Sequence, residues 1–229
     1  MARAKFGTFG PLVGKLGNTI WYLRLGQPVT RMVSHPSTKP RSEKQIASSK
    51  AFSIVSSFVT PINSFLNMSM AQAIIKTQKV GRNEGMSLNL KSAVDGIYPN
   101  QELNYSKAIV GKGKLETATN PTADVVDNNP SLKIKQLKFS WEVNPAWGNT
   151  RRNDQVMMLA VMPEINKVNY VTSGARRQAG EDILEIYSFD TIHGVKTYAT
   201  YAETYIVFIS DDRKSVSNSI YTGRINLMP

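Results

Sequence analysis

The apolar positions of this 229-residue chain change their period along its length. Near the start, Leu12 and Val13 precede a Gly14-x-x-Gly17-Asn18 turn, and the run TIWYLRLG (19–26) follows, rich in β-branched and aromatic residues. That composition predicts an opening β-hairpin, ended by Gly26 and Pro28. Pro36 and Pro40 disfavour helix before them, so 34–41 is expected to be an extended connector. From Ser42 the period becomes helical. Ser42 and Gln45 make the S-x-x-Q pattern of a capping box, and Ile46, Ala51, Ile54, Val55, Phe58, Ile62, Phe65 and Leu66 fall on one helical face. Pro61, behind Thr60, predicts a kink or the first turn of a second helix. More helix is expected over 71–95, broken by GRNEG at 81–85, then a turn and a strand over 98–113.

The polar stretch ETATNPTADVVDNNPS (116–131) separates this region from one of different pattern. Beyond it, Leu137, Phe139, Trp141 and Val143 alternate with polar residues, as in a half-buried strand. QVMMLAVM (155–162) is a continuous apolar run, as in a central strand. VNYVT (168–172), DILEIY (182–187), TYIVFIS (204–210) and SIYTGRINL (219–227) bring the count to six or seven strands, with turn signals between them. The predicted fold class is α+β: an N-terminal β-hairpin plus helices over 1–120, then an all-β immunoglobulin- or fibronectin-type sandwich over 121–229.

Charge adds a second division. Residues 1–120 hold 16 Lys and Arg against 5 Asp and Glu, whereas 121–229 hold 12 of each. Nine of the basic residues precede residue 51, where the single acid is Glu43. This asymmetry implies either an acidic partner, such as nucleic acid, another polyanion or an acidic subunit, or a solvated basic face. The chain has no cysteine, which excludes disulfides, Cys-ligated zinc, iron–sulfur clusters and thiol catalysis. MARAKFGTFG lacks the apolar run of a signal peptide, and no stretch has the length of a spanning helix. The expected location is the cytoplasm, a virion or a released assembly, with no membrane span.

Catalytic patterns are sought in vain. A phosphate-binding loop needs G-x-x-x-x-G-K-[ST], but Phe9 stands five positions before Gly14, and Leu16 replaces the hydroxyl residue. The opening glycines therefore serve tight turns, with Trp21 and Tyr22 as packing anchors. His35 and His193 lie in a proline-flanked connector and beside Gly194, without metal-ligand spacing. Glu181, Asp182 and Glu185 precede or enter a strand, and Asp211 and Asp212 occupy a turn, both solvated settings. The pairs Arg151–Arg152 and Arg176–Arg177 sit in glycine-containing loops, where forked hydrogen bonds to phosphate or carboxylate are available. No cofactor is implied.

Five stretches occur in a recognisable order: GPLVGKLG (10–17), KPRSEKQ (39–45), MSLNLKSAVDGIYP (86–99), NYSK (104–107) and VSNSIYTG (216–223). Together they resemble the domain of unknown function 6266 family of Bacteroidota proteins, over nearly the whole chain. That resemblance implies no activity and no catalytic residues. The opening hairpin and capped helix are also similar, over a much shorter span, to the N-terminal part of small phage structural proteins. SFDTIHGVKTYATYA (188–202) looks longer than the family pattern.

Two functions are expected from this. One is a non-enzymatic structural or interaction protein that self-associates or forms part of a larger, phage-related assembly. The alternative is non-specific nucleic-acid or polyanion binding through the basic N-terminal region. The candidate interaction residues are Lys15, Trp21, Tyr22, Arg24, Arg31, Arg151, Arg152, Arg176 and Arg177.

Overall fold

A computed structural model describes residues 12–36, 38–75, 77, 79–126, 134–192 and 195–227. The expectations for the glycines before residue 12 and for His193 lie outside the described residues. The chain is mixed α/β with several antiparallel sheets, and it divides into two compact units, 1–45 and 46–229.

In the first unit, β1 (Gly14–Leu16), β2 (Thr19–Arg24) and β3 (Gln27–Met32) form an antiparallel meander. A hairpin was expected and a third strand is found. Leu25 and Gly26 both have positive φ, 50° and 76°, the type I′ geometry that matches the twist of flanking strands. Gly26 thus reverses the chain instead of ending the ribbon, and Pro28 is tolerated because β3 is an edge strand. The capping box forms as expected. Ser42 N donates to Gln45 Oε1 at 3.0 Å, and Gln45 N donates to Ser42 Oγ at 3.4 Å.

That box starts α1 (Glu43–Val59), which is followed by α2 (Asn63–Ser69), α3 (Ala71–Ile74) and α4 (Gly81–Ser92). Turn residues 60–62 separate α1 from α2, so Pro61 breaks the helix outright. GRNEG, expected as a break, opens α4. Its glycines serve packing: a Cβ on Gly81 would lie 2.4 Å from the Leu66 carbonyl oxygen, and one on Gly85 would lie 3.0 Å from Leu66 Cδ1. Those two positions let α4 approach α2 closely.

The strands of the second unit are β4 (Val94–Asp95), β5 (Glu102–Leu103), β6 (Thr122–Val125) and β7 (Ile134–Ser140). After the short α5 (Asn149–Arg152) come β8 (Gln155–Met162), β9 (Lys167–Val171) and β10 (Glu181–Tyr187). The last are β11 (Phe189–Ile192), β12 (Val195–Tyr198), β13 (Tyr201–Ile209) and β14 (Ile220–Asn226). They pair as a four-stranded sheet, β14-β13-β8-β9, a three-stranded sheet, β10-β7-β6, and two ribbons, β4-β5 and β11-β12. The long stretch 188–202 contains the second ribbon.

Both faces of β8 are buried, which is why its sequence shows no alternation. Val156, Met158, Ala160 and Met162 join Leu137, Phe139, Leu184 and Ile186 of the three-stranded sheet in one core. Met157, Leu159 and Val161, with Tyr205 and Val207 of β13, join Val55, Phe58, Ile62, Phe65 and Leu66 of the helical region in the other. The helices after Gln45 and both large sheets accordingly fall in one compact unit, 46–229. Each fully buried Phe or Leu in that shared core stabilises the fold by about 1.5–3 kcal/mol, so the helices are bound to the sheet they cover.

The strand expected across 103–113 is replaced by a short 3-10 turn (Tyr105–Lys107) and an extended segment held by side chains. Asn89 Nδ2 donates to Ile109 O at 2.8 Å, and Ile109 N donates to Asn89 Oδ1 at 2.8 Å. Val110 N donates to Ser219 Oγ at 3.1 Å and Gly113 N to Asn218 Oδ1 at 3.2 Å. The backbone groups that a ladder would satisfy are met by Asn and Ser instead.

Candidate functional site

The opening sheet separates charge from apolar surface by register alone. Residues directly paired across an antiparallel ladder lie on the same face, and alternate residues along a strand lie on opposite faces. On one face Lys15, Ile20 and Arg31 form a row, Tyr22 and Val29 the next, and Arg24 and Gln27 the third. On the other, Leu16, Trp21, Leu23, Pro28 and Met32 stand with Thr19 and Thr30, and no charged residue is among them. Of the expected interaction residues, Lys15, Tyr22, Arg24 and Arg31 are therefore brought together, while Trp21 belongs to the opposite surface.

None of the described residues of the first unit is buried. Leu16 is 66% exposed and Met32 72%, and Trp21 and Tyr22 are only half-buried, so the two aromatics do not anchor a core within the sheet. Trp21 Nε1 donates to Thr19 Oγ1 at 3.1 Å, and that hydroxyl donates to Leu16 O at 2.8 Å. The apolar face is thus locally ordered without being covered.

The second unit has an open pocket of about 370 Å³, lined among others by Asp95, Asn104, Tyr105, Glu203, Tyr221 and Arg224. Three of the stretches that carry the family resemblance, 86–99, 104–107 and 216–223, contribute to its wall. Glu203, on β13, is buried. Its Oε1 accepts from Arg224 Nε at 2.8 Å and Nη2 at 2.7 Å, and its Oε2 accepts from the Tyr221 hydroxyl. The Arg224 guanidinium also stacks 4.1 Å from the Tyr201 ring centre. Hydrogen bonding to Glu203 holds Arg224 above its ordinary pKa, and burial pushes the Tyr105 phenol up to about 12. Asp95 is held below the usual carboxylate range by hydrogen bonds from Lys107 and then Asn104. A base at Glu203 would first have to release both partners; as it stands, the network ties β13 to β14.

The arginine pairs are engaged within the chain. Arg151 pairs with Glu116, and Arg152 Nη2 donates to Pro145 O at 2.7 Å. Arg176 is exposed, whereas Arg177 is fully buried. Its Nη2 donates to Glu116 O at 2.6 Å and its Nη1 to Thr117 O at 3.3 Å, while its guanidinium lies 3.8 Å from the Phe208 ring centre. Asp154, 1% exposed, sits 3.3 Å from Arg177 Nε, close enough to pair but not aligned as a hydrogen bond. The two arginines clamp the start of the polar linker.

The acids of β10 do not converge on a cleft. Glu181 pairs with Lys138, and Asp182 Oδ2 accepts from Ala175 N at 2.6 Å. Among the described residues no cluster of three or more His, Asp or Glu is placed to hold a metal, and no helix is long and apolar enough to cross a membrane.

A family model matches residues 5–223. The chain belongs to a family of unknown function, DUF6266. The match spans the opening sheet, the helices and both large sheets of this DUF6266 chain up to the middle of β14, so the two-faced sheet falls inside it and the pocket does so except for Arg224. No curated protein and no solved structure matches the chain. The Glu203–Arg224 network escaped sequence reasoning. Its one signal was a lone acid and a lone base within otherwise apolar strand runs, AETYIVFI and IYTGRINL.

Proposed function

We propose that this DUF6266 protein is a non-enzymatic assembly subunit, and that its opening sheet joins it to further copies through the uncharged face of Leu16, Trp21, Leu23, Pro28 and Met32. The observation that carries this reading is the segregation itself: every cation of the sheet is on one face, every large exposed apolar side chain of its strands on the other. A small sheet gains stability only when an apolar face is covered. A second copy is the fitting cover, because stacking the two neutral faces leaves both sets of cations pointing outward. Two strands of six residues and one of three, about 4.8 Å apart, offer a face of roughly 240 Å². Two such faces bury about 500 Å², less than half of what a stable pair usually needs, so each contact is weak and its strength comes from repetition in an array.

The fibronectin-type sandwich belongs to the same reading. Seven strands in sheets of three and four, with chain crossings between sheets after β7, β9 and β10, support it. The likeness of the opening segment to small phage structural proteins is in keeping with an assembling subunit, in the cytoplasm or in a released particle. Sedimentation between about 10 μM and about 1 mM tests the proposal. Association that rises with concentration and disappears in Trp21→Glu is the expected result. A strictly monomeric chain at the highest concentration, at low and high salt, overturns it.

A further inference from the structure

We infer that the cationic face of the opening sheet binds single-stranded nucleic acid through its phosphodiester backbone, with Tyr22 as the platform for a base. This goes beyond the assembly reading and uses the opposite surface. Lys15 and Arg31 flank Ile20 in one cross-strand row, and Arg24 lies two rows away on the same face. Rows on one face of a strand repeat about every 6.7 Å, so Tyr22 stands midway between the cations, about 7 Å from each row. All three cations are exposed, and among the described residues none of them is paired with an acid. The wider setting has the same sign: nine Lys and Arg precede residue 51, against one acid.

The partner follows from this arrangement. A few cations around an aromatic ring on a flat sheet suit a strand whose charges are regularly spaced and whose bases are free to stack. A duplex keeps its bases stacked on each other and leaves Tyr22 without a role. An acidic peptide offers charge without the stacking partner. An anionic lipid surface is less suited, because the apolar residues that would enter it point the other way.

The test uses the full chain and a fluorescent oligothymidylate of about 15 nucleotides, followed by anisotropy from about 50 to about 200 mM salt. Polyglutamate and vesicles of mixed neutral and anionic lipid are the competing probes. With three cations engaged on a single strand, log K should fall against log salt with a slope of about −2. The triple substitution Lys15→Gln, Arg24→Gln, Arg31→Gln should remove that slope and weaken binding by more than about tenfold. Tyr22→Ala should cost roughly five- to a hundredfold while Tyr22→Phe keeps affinity, because a ring is what stacks. Trp21→Glu, on the other face, abolishes self-association under the assembly proposal yet should leave oligothymidylate affinity within about threefold once its added charge is allowed for. Failure of one proposal is thereby distinguishable from failure of the other. The inference is overturned by no binding at the lowest salt, by an unchanged slope in the triple variant, by equal losses in Tyr22→Ala and Tyr22→Phe, or by tighter capture of polyglutamate or vesicles than of the oligonucleotide.

Discussion

Arg177 and Asp154 show how one buried pair can set a pH response. Burial pushes the Asp154 carboxyl up to about 6, against the opposing pull of Arg177 and Arg151, and burial also pulls Arg177 down. A carboxyl raised in the folded state binds its proton more tightly there than in the unfolded chain. Its contribution to stability is then full below the ordinary carboxylate pKa of about 4 and is lost as pH rises through about 6. Asp95, half-buried, and Asp212, exposed, are both held low by hydrogen bonds and act in the opposite sense, losing their contribution as pH falls below the ordinary range. The Asp154 effect is therefore isolated by comparison with Asp154→Asn. Relative to that variant, the wild-type urea midpoint should fall between pH about 4 and about 6 and level off above. A relative rise over that interval would mean that Arg177, not burial, governs the acid. Arg177→Ala should cost roughly 3–5 kcal/mol, since it strands a buried carboxylate and frees two carbonyls.

Glycine at the element scale separates two jobs that look alike in a sequence. Gly81 meets backbone, the Leu66 carbonyl oxygen at 2.4 Å and Asn67 Cα at 2.7 Å, whereas Gly85 meets only the end of the Leu66 side chain at 3.0 Å. Gly81→Ala must therefore push α4 off α2 and should destabilise by about 1–3 kcal/mol or more. Gly85→Ala needs a small shift of Leu66 and gains helix propensity of up to about 1 kcal/mol, so it should be near neutral. Urea unfolding of both variants decides this; equal costs would show that the α2–α4 spacing is not what selects glycine. The same contrast explains what was legible in the sequence. The Ser42–Gln45 box, the one-faced period of α1 and the alternation of β7 are local patterns and emerged as expected. GRNEG and KAIVGKG were misjudged because their glycines answer to partners far along the chain. Gly113 lies against the Val216 carbonyl, and Asn89 stands in for a neighbouring strand at Ile109. Of the candidate site, the cations and aromatics were visible, but their assignment to faces needed the register that Leu25 and Gly26 impose. The burial of Arg177 had no local signature at all.

For the whole molecule, both hydrophobic cores lie within the second unit, and none of their residues precedes Val55. Among its described residues the first unit contributes none that is buried, while its strands expose Leu16, Leu23 and Met32, and eight Lys and Arg stand against the single acid Glu43 in 1–45. Under the proposals above, stability is therefore separated from interaction along the chain. Removing residues 1–38 keeps Ser42 and its box, and lowers the net charge from +11 to +6 by taking five basic residues and no acid. The shortened chain should unfold in one cooperative transition, with a thermal midpoint within about 2 °C of the full chain. It should also sediment as a monomer at every concentration and lose salt-dependent oligonucleotide binding. A midpoint lowered by more than about 5 °C would mean that the opening strands serve the fold itself. Association that persisted in the shortened chain would move the joining surface to the second unit, where Phe52 and Ile97 are two of the large exposed apolar side chains and the ones to substitute next. A normal midpoint with both interactions gone is the outcome that a separate, partner-directed opening sheet requires.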